Sequence, residues 1–390
     1  MNKLAIITTH PIQYNAPFFK LLAESKIIQL KVFYTWGTTV TETKFDPGFQ
    51  RTIDWDIPLL EGYEYEFLRN TAKEKGSHHF NGIINPGIVQ KIKSWQPDAL
   101  LIYGWKFDSH LKVMRYFKKK IPVWFRGDST LLDEKNKAAS FFKSLVLKKI
   151  FRNVDIAFYS GTNNKKYFLK YGMKENQLVR ALHAVDNERF FYNSQYAHAA
   201  AQWRSRLNIT TANIVFLYAG KLEIKKNVET LLNSFKELNK ENVHLVIVGN
   251  GPEEKDLKLA FSDIKNIHFI DFQNQQVMPV IYQVCNVFVL PSVGPGETWG
   301  LSINEAMAAG KAILASDKCG GAIDLVQPGE NGFIFEARNI SDITSKIKSL
   351  AELPDKIAAM GQKSRQFIEA FTLKEFVIAI EIQITDGKNN

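Results

Sequence analysis

Short, mostly apolar runs recur along this chain, and amphipathic stretches fill the gaps between them. In the first half they fall at residues 4–8, 28–34, 99–103, 121–125 and 155–159; in the second, at 214–219, 243–248, 267–272, 286–290 and 312–316. Runs this short, rich in β-branched and aromatic residues and, apart from Gln29 and Lys31 in 28–34, lacking polar alternation, are strands, most of them covered on both faces. Helical periodicity occupies 17–24, 86–95, 108–119, 138–151, 340–350 and 354–370. Alternation of this kind builds a parallel sheet with helices on either side, an α/β class, and ligands of such sheets sit beyond the carboxyl ends of the strands. At 390 residues the chain is too long for one ordinary core, so two domains are expected.

Charge divides the chain unevenly. Residues 1–185 carry 29 Lys+Arg against 16 Asp+Glu, a balance of +13, and residues 186–390 carry 21 against 24, a balance of −3. A basic half suits nucleic acid or an anionic membrane. No zinc finger, RNA-recognition signature or basic zipper is present, so no nucleic-acid partner is expected. The segment 138–152 mixes Phe141, Phe142, Leu145 and Val146 with Lys143, Lys148, Lys149 and Arg152, and Lys118, Lys119 and Lys120 precede it. Such a mixture fits either a peripheral contact with anionic headgroups or a core-facing helix with a solvated basic face. No apolar run approaches the roughly 18 residues of a spanning helix, and the N-terminal run is too short for a signal peptide. The two cysteines, Cys285 and Cys319, lack metal-ligand neighbours, so a cytoplasmic, reducing location is expected, at the inner face of the cell membrane if the peripheral contact is real.

The most informative stretch is 286–310. A buried-type strand ends at Leu290, Gly294-Pro295-Gly296 breaks it, and a helix follows that Gly310 closes. Such a turn aims unpaired backbone N–H groups at whatever lies above the helix start, which suits an anion. Glu297 lies in the loop and Glu305 two turns into the helix. A bare phosphate site has no need of two carboxylates; a sugar and a diol do.

Glu297 and Glu305 form E-x7-E within Leu290-Pro291-Ser292, Trp299-Gly300-Leu301 and Glu305-Ala306-Met307-Ala308-Ala309-Gly310. In these residues the chain resembles the retaining family-four glycosyltransferases of the GT-B fold, two Rossmann-like β/α/β domains facing across a cleft. The resemblance is strong over most of 183–335 and weak elsewhere. It implies that Glu305 holds ribose hydroxyls and that Glu297 is a catalytic-site carboxylate orienting the donor sugar. It places Lys221, Lys226 and the backbone of Trp299, Gly300 and Leu301 on a nucleotide diphosphate. Gly249, Gly251, Phe272 and Gln273 fall on the loops that run under the nucleotide. The family usually has arginine where Lys221 stands, and lysine lacks the bidentate fork arginine offers a phosphate. No DxD at a strand end and no His/Cys cluster is seen, so metal independence and no cofactor beyond a UDP- or GDP-sugar donor are expected.

On the first half the resemblance is one of layout. The family's paired-glycine loop is replaced by His10-Pro11-Ile12-Gln13-Tyr14, and its usual histidine by Arg126-Gly127-Asp128. His10 and Asp128 are candidates for catalysis, and Arg126, Trp36 and Trp105 for the acceptor side, because each follows a strand end. The expected domains are 1–186 on the acceptor side, a linker at 187–212, a nucleotide-sugar domain at 213–370, and a segment 371–390 packing back on the first. The function implied is transfer of a sugar to an acceptor hydroxyl with retention, the acceptor being a bacterial surface glycan on a lipid carrier. The alternatives are a nucleotide-sugar epimerase of the same fold, drawing on His10, His183 and Asp128, and a non-catalytic nucleotide-sugar-binding scaffold.

Overall fold

The computed structural model of the protein describes residues 1–37, 44–134 and 137–386. Its first strands are β1 (Asn2–Thr8), β2 (Ile28–Tyr34), β3 (Lys44–Asp46), β4 (Arg51–Ile53), β5 (Glu64–Phe67), β6 (Ala99–Tyr103), β7 (Val123–Arg126), β8 (Ile156–Tyr159) and β9 (Leu178–Arg180). The later ones are β10 (Ile214–Ala219), β11 (Val243–Val248), β12 (Ile267–Ile270), β13 (Val287–Leu290), β14 (Ala312–Ser316) and β15 (Gly332–Phe335). The chain divides into two compact units. One takes in the described residues of Met1–Thr43, Pro58–His183 and Leu373–Asn390, and the other Lys44–Ile57 and Ala184–Thr372.

The first unit is built on a parallel sheet of order β5-β2-β1-β6-β7-β8-β9. Its strands alternate between two cores, as the two-residue period of a strand requires. Ala5, Ile7, Leu100, Ile102, Val123 and Phe125 face one. Leu4, Ile6, Leu101, Trp124 and Phe158 face the other. The helix Leu373–Asp386 closes this second core with Phe376, Val377, Ile380 and Ile384, a stripe at helical spacing, so the last helix of the chain belongs to the unit that the chain begins. Phe376 stacks on Phe18 with ring centres 4.3 Å apart. Each such buried side chain contributes about 1.5–3 kcal/mol.

The second sheet, also parallel, runs β12-β11-β10-β13-β14-β15. The residues expected to form a linker are ordered parts of this unit. A short turn of helix at Asn187–Phe190 is followed by the helix Ser194–Arg206, whose N-cap Asn193 accepts from Gln195 N at 2.7 Å. Asn187 donates to the carbonyls of Ile368 and Phe371 at 3.2 and 3.0 Å. The segment Lys44–Ile57 departs further from expectation. Placed by sequence in the first domain, it groups with the second unit as the antiparallel hairpin β3-β4.

One buried base in the first unit couples stability to pH. His110 is fully buried, with Nδ1 3.0 Å from Gly104 O and Nε2 3.0 Å from Thr35 Oγ1. Burial pushes it down to about 4, outweighing the Gly104 and Tyr103 carbonyls that favour its charged form. The unfolded chain, with an ordinary imidazole near 6.5, therefore takes up the proton first as pH falls. The stability that neutral His110 contributes is complete above about pH 6.5 and declines toward pH 4, by about 3 kcal/mol in all. Urea unfolding between pH 7 and 4.5 should show a shallower acid-side loss in His110→Gln than in the wild type; parallel slopes would remove His110 as a cause.

Candidate functional site

Chain order in the second sheet reverses at β10, with β11 on one side and β13 on the other. At such a reversal the loops leaving adjacent strands turn away from each other and their ends become accessible to a ligand. The loops after β10 and β13 are tied together by one backbone and one side-chain hydrogen bond. Val293 N donates to Lys225 O at 2.9 Å, and Asn227 Nδ2 donates to Pro291 O at 3.3 Å. Lys226 forms an ion pair with Glu297, and Ser292 Oγ donates to the same carboxylate at 2.7 Å. Two residues expected on one ligand thus meet each other, and Ser292, named only as part of a motif, joins them.

The loop bearing Glu297 is clamped from behind. Gly320 N donates to Glu297 O at 2.9 Å and Gly321 N to Trp299 O at 2.8 Å. A Cβ on Gly320 would lie 1.9 Å from Thr298 O, so the approach requires glycine. The helix Leu301–Ala308 starts here, after Gly300 at φ 95°. Trp299 is buried, its Nε1 donating to Asn304 Oδ1 at 2.8 Å, which leaves its backbone rather than its ring at the helix start. Glu305 is buried and accepts from Tyr282 OH at 2.7 Å. Tyr282, on the helix Met278–Val284, was not identified from sequence. It looks like one more apolar-face residue there, and only its hydroxyl's partner marks it.

The glycines of the next loop also permit close approach. A Cβ on Gly249 would lie 2.0 Å from Gly220 O, and one on Gly251 2.4 Å from Leu222 O. Between them Asn250 Oδ1 accepts from Phe272 N at 2.7 Å, joining the loops after β11 and β12. Gln273 Nε2 turns back to Asp271 O at 3.0 Å. Lys221 is paired with Asp46 of the β3-β4 hairpin, Nζ lying 2.9 and 3.1 Å from the two carboxylate oxygens. Asp46 was also missed. Its signal was the Asp46-Pro47-Gly48 turn, a hairpin cue between two short stretches.

The remaining candidates lie in the first unit. His10 is 2.8 Å from Thr9 Oγ1 through Nδ1 and meets the Trp36 ring edge-on, centres 4.9 Å apart. Trp105 packs against the core below it. Asp128 is exposed in the loop after β7. Arg126 does not have the placement expected of an acceptor-side group. The strand runs one residue further than the apolar pattern indicated, and Arg126 shares the inner face of Trp124. Its guanidinium donates to Ala181 O and, at 3.3 Å, to Phe158 O, and lies over the Phe376 ring at 4.6 Å. Burial pulls it down to about 10 even though Tyr103 and Asp128 favour its charge. Among the described residues no three His, Cys, Asp or Glu side chains gather as a metal-ion set.

Residues 200–367 match the family described as glycosyl transferases group 1. Over 200 residues the chain is 26% identical to the sulfoquinovosyl transferase SQD2 of Arabidopsis thaliana, covering 50% of this chain and 37% of that protein. Over 193 residues it is 28% identical to the N,N'-diacetylbacillosaminyl-diphospho-undecaprenol alpha-1,3-N-acetylgalactosaminyltransferase of Campylobacter jejuni, covering 49% of each. The chain thus spans half or less of the length of these curated relatives. Its structure is similar to that of HepE from Anabaena in complex with UDP, with a TM-score of 0.75 at 16% identity, over 99% of this chain and 100% of that one. The fold is α/β and of the GT-B type, with two Rossmann-like units each on its own parallel sheet.

The clamp behind Glu297 gives a direct test. Gly320→Ala should force the 297–299 backbone outward and lower unfolding stability by about 3 kcal/mol. Urea denaturation followed by circular dichroism measures it, and a variant within about 0.5 kcal/mol of wild type would show that the contact is not tight.

Proposed function

We propose that the chain is a glycosyltransferase that moves a sugar from a nucleotide-diphosphate donor to an acceptor hydroxyl with retention, without a metal ion. The observation that carries this reading is the meeting of Lys226, Glu297 and Ser292 at the strand-order reversal, with Glu305 buried in the helix that starts beside them. The match over 200–367 and the named activities of the two relatives support the same class. The UDP complex of HepE supports a nucleotide donor. Neither the epimerase nor the scaffold alternative is favoured by these similarities.

In this reading Lys221, Lys226 and the N–H groups of Trp299, Gly300 and Leu301 take the diphosphate. Departure of the diphosphate concentrates negative charge on its bridging oxygen, and fixed cations with a helix start stabilise charge that develops there. Glu305 accepts from the ribose hydroxyls, with Tyr282 OH fixing its carboxylate. Glu297, oriented by Lys226 and Ser292, positions the donor sugar. The acceptor oxygen bonds to the anomeric carbon on the side from which the diphosphate leaves. The carbon–oxygen bond to phosphate breaks, and the acceptor's proton passes to the departing phosphate oxygen.

Calorimetry with EDTA present tests the donor site. Wild type should bind UDP or GDP, and Glu305→Gln, which keeps the shape but removes the charge, should bind about ten-fold or more weakly. Failure of the wild type to bind any UDP- or GDP-linked compound would sink the reading.

The acceptor in this reading is a surface glycan growing on a lipid diphosphate carrier, worked on at the inner face of the membrane. The diphospho-undecaprenol in the name of the Campylobacter relative supports it. So does the helix Lys137–Phe151, where Leu147, Ile150 and Phe151 face the core while Phe141, Phe142, Leu145 and Val146 are exposed together beside Lys148 and Lys149. An exposed apolar stripe edged by lysines fits an anionic lipid surface. No described helix is long and apolar enough to cross a membrane. The protein should co-sediment with phosphatidylglycerol vesicles in a salt-sensitive way, and Phe141→Ser with Phe142→Ser should weaken this about ten-fold or more. Absence of salt-sensitive binding would remove the membrane claim.

A further inference from the structure

The β3-β4 hairpin lies across the ends of three strands of the second sheet. Asp46 engages Lys221 after β10. Arg51 Nη1 donates to Asn250 Oδ1 after β11 at 2.9 Å. After β12, the Phe49 ring meets Phe272 at 4.8 Å, Trp55 meets it at 6.4 Å, and the Arg51 guanidinium lies over it at 5.5 Å. Asn274 Nδ2 and Gln276 Nε2 donate to the carbonyls of Asp54 and Asp56, and Gln276 N donates to the Asp56 carboxylate at 3.1 Å. Every one of these partners sits at a carboxyl strand end, the edge where an α/β sheet binds its ligand. A segment from far back in the chain therefore reaches Lys221, assigned above to the diphosphate, and Phe272, on a loop that runs under the nucleotide in the same reading.

The details at Asp46 are those of an anion seat. Its carboxylate accepts from Gly48 N at 2.7 Å, from Phe49 N at 3.1 Å and from the Lys221 ammonium. Gly48 is closely apposed to that ammonium, since a Cβ there would lie 2.6 Å from Lys221 Nζ. Lys221 also lies 5.0 Å from the Phe49 ring centre. The side chains of Lys221 and Asp46 each keep 31% of their exposure, so water and solutes reach the pair. An ion pair that is partly exposed exchanges its anion at modest cost, unlike a fully buried one.

We infer that Asp46 is an internal counter-ion for the diphosphate lysine, and that nucleotide binding exchanges the Asp46 carboxylate on Lys221 for a phosphate oxygen. The hairpin thereby sets how tightly the donor and the nucleoside diphosphate product are held. This rests on the proposed donor site. Phe49 and Arg51 of the hairpin, with Trp55 just after it, gather around Phe272 of the loop after β12, so this segment's aromatic and cationic side chains form the base-side wall while its carboxylate competes with the diphosphate. Asp46 acts through Lys221 and is a positioning residue, not one that touches reacting atoms.

Titration calorimetry with UDP and GDP on the full chain tests it, using wild type, Asp46→Asn, Lys221→Met and the double variant. Asparagine keeps an acceptor for Gly48 N and Phe49 N, so the turn is retained while the competing charge is lost. Asp46→Asn should bind nucleoside diphosphate about ten-fold more tightly than wild type, and this gain should vanish when Lys221 is already methionine. Equal or weaker binding by Asp46→Asn, with wild type binding normally, overturns the counter-ion role and leaves the donor site standing. A gain that persists without Lys221 also overturns it. Absence of binding in wild type and Asp46→Asn alike overturns the donor site itself, and the counter-ion with it.

Discussion

Ile214 to Tyr218 and Val287 to Leu290 are buried side chain by side chain, and the one polar side-chain atom among them, the Tyr218 hydroxyl, is paired, donating to Lys221 O at 2.7 Å. A strand in that position has both faces against helices, and an unpaired polar atom there would lose its water without replacement. Polar chemistry is therefore displaced to the strand ends. Of these ends, the pair flanking the order reversal is where two loops can open toward a ligand rather than fold over each other. The Lys226–Glu297 pair, the Ser292 hydroxyl and the start of the helix Leu301–Ala308 all occur there. The glycines at 249, 251 and 320 serve the same end by letting neighbouring backbones come within contact of the site loops.

The charges of the site are arranged as pairs. Lys226 has Glu297, Lys221 has Asp46, and buried Glu305 has the Tyr282 hydroxyl. Each pairing satisfies groups that have lost part of their hydration. The pairs differ in consequence. Glu297 is held by two partners inside its own loop system, whereas Asp46 reaches Lys221 from a hairpin 175 residues away in the chain. A contact of that kind can be given up without disturbing the strands that position the lysine. The first unit treats its buried charge differently. Arg126 is held by the Phe158 and Ala181 carbonyls and by an aromatic face, which makes it a strut between β7 and the helix Leu373–Asp386.

Much of this was legible in the residues. The apolar runs located the strands because a doubly covered strand has no other composition available to it. Glu297, Glu305, Lys221 and Lys226 stood out because they sit at strand ends in a recognisable setting. The strand ending at Arg126 shows the limit. Apolar pattern stops at Phe125, yet pairing with β8 continues through Arg126, since backbone hydrogen bonds do not depend on side-chain polarity. Helix Ser194–Arg206 was hidden by a polar, alanine-rich composition that reads as linker, though its Asn193 cap was in view. Tyr282 was hidden for the opposite reason, as an apolar-face residue whose single polar atom matters.

From its residues alone the chain determined ten of its strands, all but β3, β4, β5, β9 and β15, that they form parallel sheets in two units, and which acids and lysines stand at the strand ends. These follow from local periodicity and from residue chemistry, both of which are written along the chain. The tertiary structure alone decided that Lys44–Ile57 leaves the unit of its neighbours to cover the loops after β10, β11 and β12, that Lys226 meets Glu297, and that Arg126 is enclosed rather than presented. Those outcomes depend on which surfaces meet after collapse, and no local pattern encodes a partner that lies more than fifty residues away.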